Sequence, residues 1–189
     1  MRYLRFGDLP NYAYPLGDMP EYGRVGSPLN MNTLYNAIRD GIADNANIKS
    51  WCQTNYSQDH KVYAGLDDRH PPAESECPYV YLFMDSKQVG YRLEQKAHAV
   101  GVICEINNDS IGTVVGKANI VVYTGINHSE DFRKLVETAA IAAVAELIHE
   151  AAVEQIDISY EDSDPFPYFR SYMAFSINEN YYMGDSVFE

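Results

Sequence analysis

The chain has 189 residues, enough for one ordinary domain with some length to spare and hardly enough for two. At 46% hydrophobic residues it is not a disordered chain, and a core of this size needs no covalent staple. Twenty-seven acids against 14 bases leave a net charge of −13, which argues against duplex binding through phosphates and against adhesion to an anionic membrane.

Residues 1–29 stand apart. Pro10, Pro15, Pro20 and Pro28 recur among Gly7, Gly17, Gly23 and Gly26, a density that defeats helix and strand alike. Tyr3, Phe6, Tyr12, Tyr14 and Tyr22 lie between them, whereas a plain solvated linker is polar. The segment reads as an extended aromatic arm that anchors on a neighbouring subunit by its rings; a floppy tail, or an arm folded back on its own domain, are the alternatives. It also lacks the apolar run of a signal peptide, so the chain is expected to stay soluble in the compartment where it is made.

Residues 30–189 read as a single α+β domain. Asn30 or Asn32 can cap a helix in which Leu34, Ile38 and Ile42 recur at spacing four. Gly41 weakens that helix, which is expected to end near residue 45, and the chain through Trp51 reads as a loop or short turn. Short strands are expected at His60–Ala64 and at Tyr79–Met84. In the latter, Val80, Leu82 and Met84 alternate with Tyr79, Tyr81 and Phe83, so one face meets the core and the aromatic one meets something else. Asp85–Gly90 reads as a polar connection, and Tyr91–Lys96 reads equally as loop or strand. Ala97–Ile106 puts Val100, Val102, Cys104 and Ile106 on one face. Past a loop at Asn107–Asp109, strands are expected at Gly112–Val115 and Asn119–Tyr123.

A long helix is expected from Ser129 to about Ala152, with Ser129 as N-cap and Glu130 and Asp131 complementing its positive end. Phe132, Leu135, Val136, Ala139, Ala143 and Leu147 supply its buried stripe. The centre, Ala139–Ala145, has no polar face, which implies cover on every side and marks Ile141 and Val144 as candidates for contact with another subunit. The stretch is too short to span a bilayer. Strands at Ile156–Glu161 and 168–177 follow, joined by a turn at Asp162–Pro165, with Phe169, Met173, Phe175 and Ile177 facing inward. Grouped strands with few crossover helices predict an α+β fold: a mixed or mainly antiparallel sheet carrying one long and one shorter helix.

No catalytic constellation is recognisable. Glycine-rich phosphate cradles and the Gly-x-Ser-x-Gly elbow are missing. His149 has no second histidine four positions away and reads as a helix-end cation. Cys52, His60, His70 and Cys77 lack the close cysteine pair of a zinc site. With Cys104 the cysteines number three, an odd count that argues against a disulfide framework and for a reducing compartment. Glu161, Asp162 and Asp164 lack calcium-loop spacing and read as a solvated turn. Tyr181-Tyr182, without interleaved bases, reads as interface packing before base stacking. No enzyme, cofactor or metal is expected.

From Asn30 onward the element order resembles the tail-terminator family of long-tailed phages. The resemblance is carried by the helix beginning Met31-Asn32-Thr33-Leu34-Tyr35, the strand Pro78–Phe83, the strand His98–Ile106 and the helix opening Ser129-Glu130-Asp131-Phe132. It implies a sheet flanked by helices in a homo-oligomeric, commonly hexameric, ring. That ring caps the head-proximal end of the tail tube and docks the head–tail connector. Tail-tube and neck proteins are then its partners, the virion its location after assembly in the host cytoplasm, and neither sequence-specific nucleic acid binding nor a membrane is involved. The aromatic arm and the stretch Ile111–Tyr123 depart from the family. Tyr3, Phe6, Tyr12, Tyr14, Tyr22, Tyr79, Tyr81, Phe83, Ile141 and Val144 are the candidate interface residues. Another neck or head-completion protein, a non-viral binding adaptor and an unfamiliar enzyme are the competing readings.

Overall fold

The structure is a computed structural model that describes residues 30–65, 69–88, 95–114, 117–147, 152–160 and 166–180. Asn30 opens helix α1 (Met31–Ala43), its Oδ1 accepting the Asn32 N–H at 2.9 Å. Leu34, Ile38 and Ile42 follow on one face and are fully buried. Tyr35 shares that side, and its hydroxyl donates to the Leu82 carbonyl at 2.9 Å.

Where the sequence reads as a loop through Trp51, the structure has a second helix, α2 (Ala46–Tyr56). Asn45 does not merely end α1. Its Oδ1 accepts the N–H groups of Asn47 and Ile48 at 3.0 and 3.1 Å and starts the next helix. Only Ile48 and Cys52 are buried along α2, so its apolar periodicity is too thin to read without knowing that Trp51 stacks on Phe132.

Beyond it lie β1 (Lys61–Ala64), a 3-10 turn at Glu74–Glu76, β2 (Tyr79–Gln88), β3 (Gln95–Asn107), β4 (Ile111–Val114) and β5 (Lys117–Tyr123). Helix α3 (Thr124–Leu147) and strands β6 (Ala152–Tyr160) and β7 (Tyr168–Asn180) complete the order. Five strands form one sheet in the order β1-β2-β3-β7-β6, with β1 parallel to β2 and every other pair antiparallel. The α+β class with a mixed sheet holds, with three helices among the described residues in place of the two expected. Asp85–Gln88, expected as a connection, continues β2 against Ala97–Ala99.

Register explains the core. Val80 faces Cys104, Leu82 faces Val102, Val102 faces Met173 and Val100 faces Phe175, so three strands present one apolar surface to α1 and α3. Met84, expected on that surface, is 47% exposed where the β2–β3 register shifts.

Helix α3 begins five residues before the expected start. Thr124 follows β5 directly, its N–H donating to the Ser110 carbonyl at 3.1 Å, and Ser129 is a buried residue inside the helix. The polar run Asn127–Asp131 imitates a helix beginning, while the true one is set by closure of the β4–β5 connection. Ala152, the expected last helical residue, already belongs to β6. Arg133 is buried in α3 and neutralised by Glu130, at 2.9 Å, and by Glu137 one turn on.

Candidate interaction surfaces

The residues weighed for metal chemistry are scattered. Cys52 and His60 are buried beside the main core, His70 is exposed, and Cys77 joins a separate cluster with Tyr79 and Tyr81. The Nε2 of His60 lies 3.0 Å from the Ile42 carbonyl, to which only a protonated nitrogen donates. Among the described residues no three His, Cys, Asp or Glu side chains gather as a metal site. Burial pushes the Cys52 and Cys77 thiols up to about 12, so neither is a nucleophile at neutral pH. His149, Glu161, Asp162, Asp164 and Tyr181-Tyr182 lie outside the described residues, as do Tyr3, Phe6, Tyr12, Tyr14 and Tyr22 of the arm.

The aromatic face of β2 is largely occupied by its own sheet. Tyr63, Tyr79 and Tyr81 pack ring against ring at centroid distances of 5.2 to 5.9 Å. Tyr79 and Tyr81 are only 4% and 6% exposed. Opposite Tyr79 in register stands Glu105, and opposite Glu105 stands Arg170, whose Nε and Nη2 donate to Glu105 Oε2 at 2.7 and 2.6 Å. Glu105 is 4% exposed, so the guanidinium compensates a carboxylate that burial alone penalises. Burial, then the Glu105 carboxylate, drives the Tyr79 hydroxyl pKa upward. Phe83 is half-buried and stacks on Tyr172 at 6.0 Å. Its ring lies directly over Gly101, in the space a Cβ there would take.

Helix α3 divides its apolar centre between two environments. Ala139, Ala140, Ala143 and Val144 turn into the core, whereas Ile141 is 38% exposed and Ala142 and Ala145 are exposed beside it. Val144, expected on the contact surface, is 1% exposed and offers none. Residues three apart on a helix differ by about 60° in direction, which composition alone does not orient. Between α1 and α3 runs a groove of about 470 Å³, walled by Gly41, Ala139, Ala142 and Ala143 and edged by Asp40, Asp44 and Glu146.

Among the described residues, several exposed apolar side chains lie in a segment that sequence reasoning did not select as a contact surface. Strands β4 and β5 form a two-stranded sheet of their own. Ile111 is 58% exposed, Val121 56% and Tyr123 40%, and Ile126 in the first turn of α3 is also exposed. The available signal was the run Ile120–Tyr123, apolar at both strand parities in an element with too few strands to bury both faces. At its base, Tyr56 Oη and Asn108 Nδ2 sit 3.3 and 3.2 Å from His128 Nδ1, and Trp51 packs against the same imidazole. Burial raises the Tyr56 hydroxyl to about 12. This cluster ties α2, the start of the hairpin and α3 together.

No helix among the described residues is long and apolar enough to cross a membrane. No protein-family model matches the chain, and no curated protein matches its sequence.

Proposed function

We propose that this chain is a structural subunit of a phage tail or neck. It forms a ring on the head-proximal end of the tail tube, stops tube growth and presents a docking surface to the head–tail connector. Its action is steric capping by surface complementarity, with no chemical step. The observation that carries the reading is the placement of apolar surface. An acidic α+β chain leaves Ile111, Val121, Tyr123 and Ile126 exposed at one end of α3 and Ile141 exposed further along it. Two separate apolar patches suit a subunit that meets a copy of itself on each side. The element order from α1 to β7 and its resemblance to tail terminators supply the rest of the support. The aromatic arm then acts as a clasp between neighbours.

The test is the mass in solution, by light scattering, of the full chain and of a chain lacking residues 1–29. The expected result is an oligomer at about six times 21.4 kDa that weakens when the arm is removed. A monomer at every concentration that also fails to bind the ends of purified tail tubes overturns the reading.

A further inference from the structure

We propose that His60 is an acid-released latch on the edge of the main sheet. Uncharged, its ring fastens β1 to the end of α1. Protonated, the ring leaves the interior and β1 parts from β2. The latch is independent of the ring reading above.

Burial along the edge singles out this residue. β1 is an end strand in the sheet order and only four residues long, with none of its side chains fully buried. From Ser57 to Gly65, His60 is the one buried residue, at 8% exposure. The rest of the hold is the ladder from Lys61 opposite Tyr79 to Ala64 opposite Leu82, and the packing of Tyr63 on Tyr79 and Tyr81. A short edge with a single buried anchor is a segment that opens before the rest of a fold does.

The anchor is an imidazole whose two nitrogens are treated differently. Nε2 lies 3.0 Å from the Ile42 carbonyl in the last turn of α1, so it carries the proton of the neutral ring. Nδ1 is then a bare lone pair, and it is buried with no hydrogen-bond partner. An imidazolium donates from both nitrogens, and the second N–H would sit where nothing accepts it. The surroundings are apolar: Phe132 meets the ring edge-on at a centroid distance of 6.5 Å, and the His60 backbone N–H donates to the Cys52 sulfur.

The neighbouring charges do not reverse this. Burial is the largest influence on the ring and acts against its charged form. Lys49 on α2 adds to it, while the Ile42 carbonyl and Asp59 oppose it. Lys49 is paired with Asp44 at 3.6 Å, Asp59 accepts from the Gln53 side chain at 2.7 Å, and Lys61 on β1 is tied to Glu76. Cys52 on α2 keeps its proton, and α3 meets the ring through Phe132, which does not titrate. The native ring therefore takes a proton less readily than a ring in water, whose ordinary value is 6.5. The closed edge has its full stability above about pH 6.5 and loses it as pH falls through the depressed native value. Ser57 and Asp59 are exposed, so the connection is free to swing. As β1 leaves, Tyr63 withdraws from its two partners and the outer edge of β2 is open to pairing.

The experiment is native-state amide exchange on the full-length chain, with protection corrected for the intrinsic effect of pH. His60→Gln keeps an amide nitrogen near the Nε2 position and does not titrate; circular dichroism checks that it folds. In the wild type, residues 61–65 should be less protected than β3 and β7. Their protection should fall by up to about tenfold from about pH 7.5 to about pH 5.5, the factor by which proton uptake at 6.5 favours the open form. In His60→Gln most of that fall should vanish. A wild-type edge whose protection does not change, an edge that exchanges only together with β3 and β7, or an equal fall in His60→Gln each overturns the latch. NMR titration of the wild type needs no variant: the His60 ring should titrate below 6.5, and a ring that titrates at or above 6.5 with β1 still protected overturns it as well.

Discussion

Gly41→Ala sets two terms of known sign against each other. In a helix interior, alanine is favoured over glycine by about 1 kcal/mol, so propensity alone predicts a more stable protein. A Cβ at position 41 would lie 2.6 Å from the Cβ of Ala143. Carbon atoms rest at about 3.5–4.0 Å, so α1 and α3 must part by roughly 1 Å, and neither Cβ can rotate away. Overpacking of this kind costs about 1–3 kcal/mol, which leaves a net destabilisation of about 1 kcal/mol. Ala143→Gly removes the opposing carbon. Alone it loses helix propensity, but the double variant Gly41→Ala/Ala143→Gly again has one Cβ at the crossing and should return close to wild type. The assay is urea unfolding at fixed protein concentration, followed by the fluorescence of Trp51, the only tryptophan in the chain. With a slope of about 1–3 kcal/mol per molar, Gly41→Ala should lower the midpoint by roughly 0.5 M. The double-mutant cycle should give a coupling of at least about 1 kcal/mol. A raised midpoint for Gly41→Ala, or additive single effects, would show that the helices do not meet at this point.

Phe132 is fully buried beneath Trp51, so Phe132→Ala should cost about 3–5 kcal/mol and lower the melting temperature by roughly 6–20 °C; a drop of only a degree or two in calorimetry would refute its central place. The buried thiols predict both reactivity and pH dependence. Native protein near pH 8 should resist a disulfide reagent that titrates three thiols per chain in urea. Because the folded chain holds the Cys52 and Cys77 protons to about 12, against 9.0 for a free thiol, their stabilising contribution is present below about pH 9. It is lost as pH rises towards 12, so the urea midpoint should fall over that window; an unchanged or rising midpoint would contradict the burial argument.

The local rhythm of side chains determined much of this protein before any contact was known. Leu34, Ile38 and Ile42 recur with a helical period, while Val80 and Leu82, Val100 to Ile106, and Met173 to Ile177 alternate as strands do. Periodicity belongs to the chain itself, and these elements appear where it places them, although β2 runs on to Gln88 past its expected end at Met84. The same rhythm failed for α2, where only Ile48 and Cys52 turn inward and the capping role of Asn45 resembles a stop. It also misplaced the start of α3, because Ser129-Glu130-Asp131 carries the composition of a helix beginning and lies inside a helix. Which side of an apolar element is covered was decided only by tertiary structure. Val144 is in the core and Ile141 is not, although both belong to the same uncharged run. Tyr79 and Tyr81 find partners in Tyr63 on β1, and Glu105 finds Arg170 across the β3–β7 ladder. The separation of β4 and β5 from the main sheet, which leaves Ile111 and Val121 in solvent, depends on the same long-range pairing. Apolar pattern states what a segment seeks to bury; the residues that bury it come from far away in sequence, and what remains uncovered is known only after all of them have been placed.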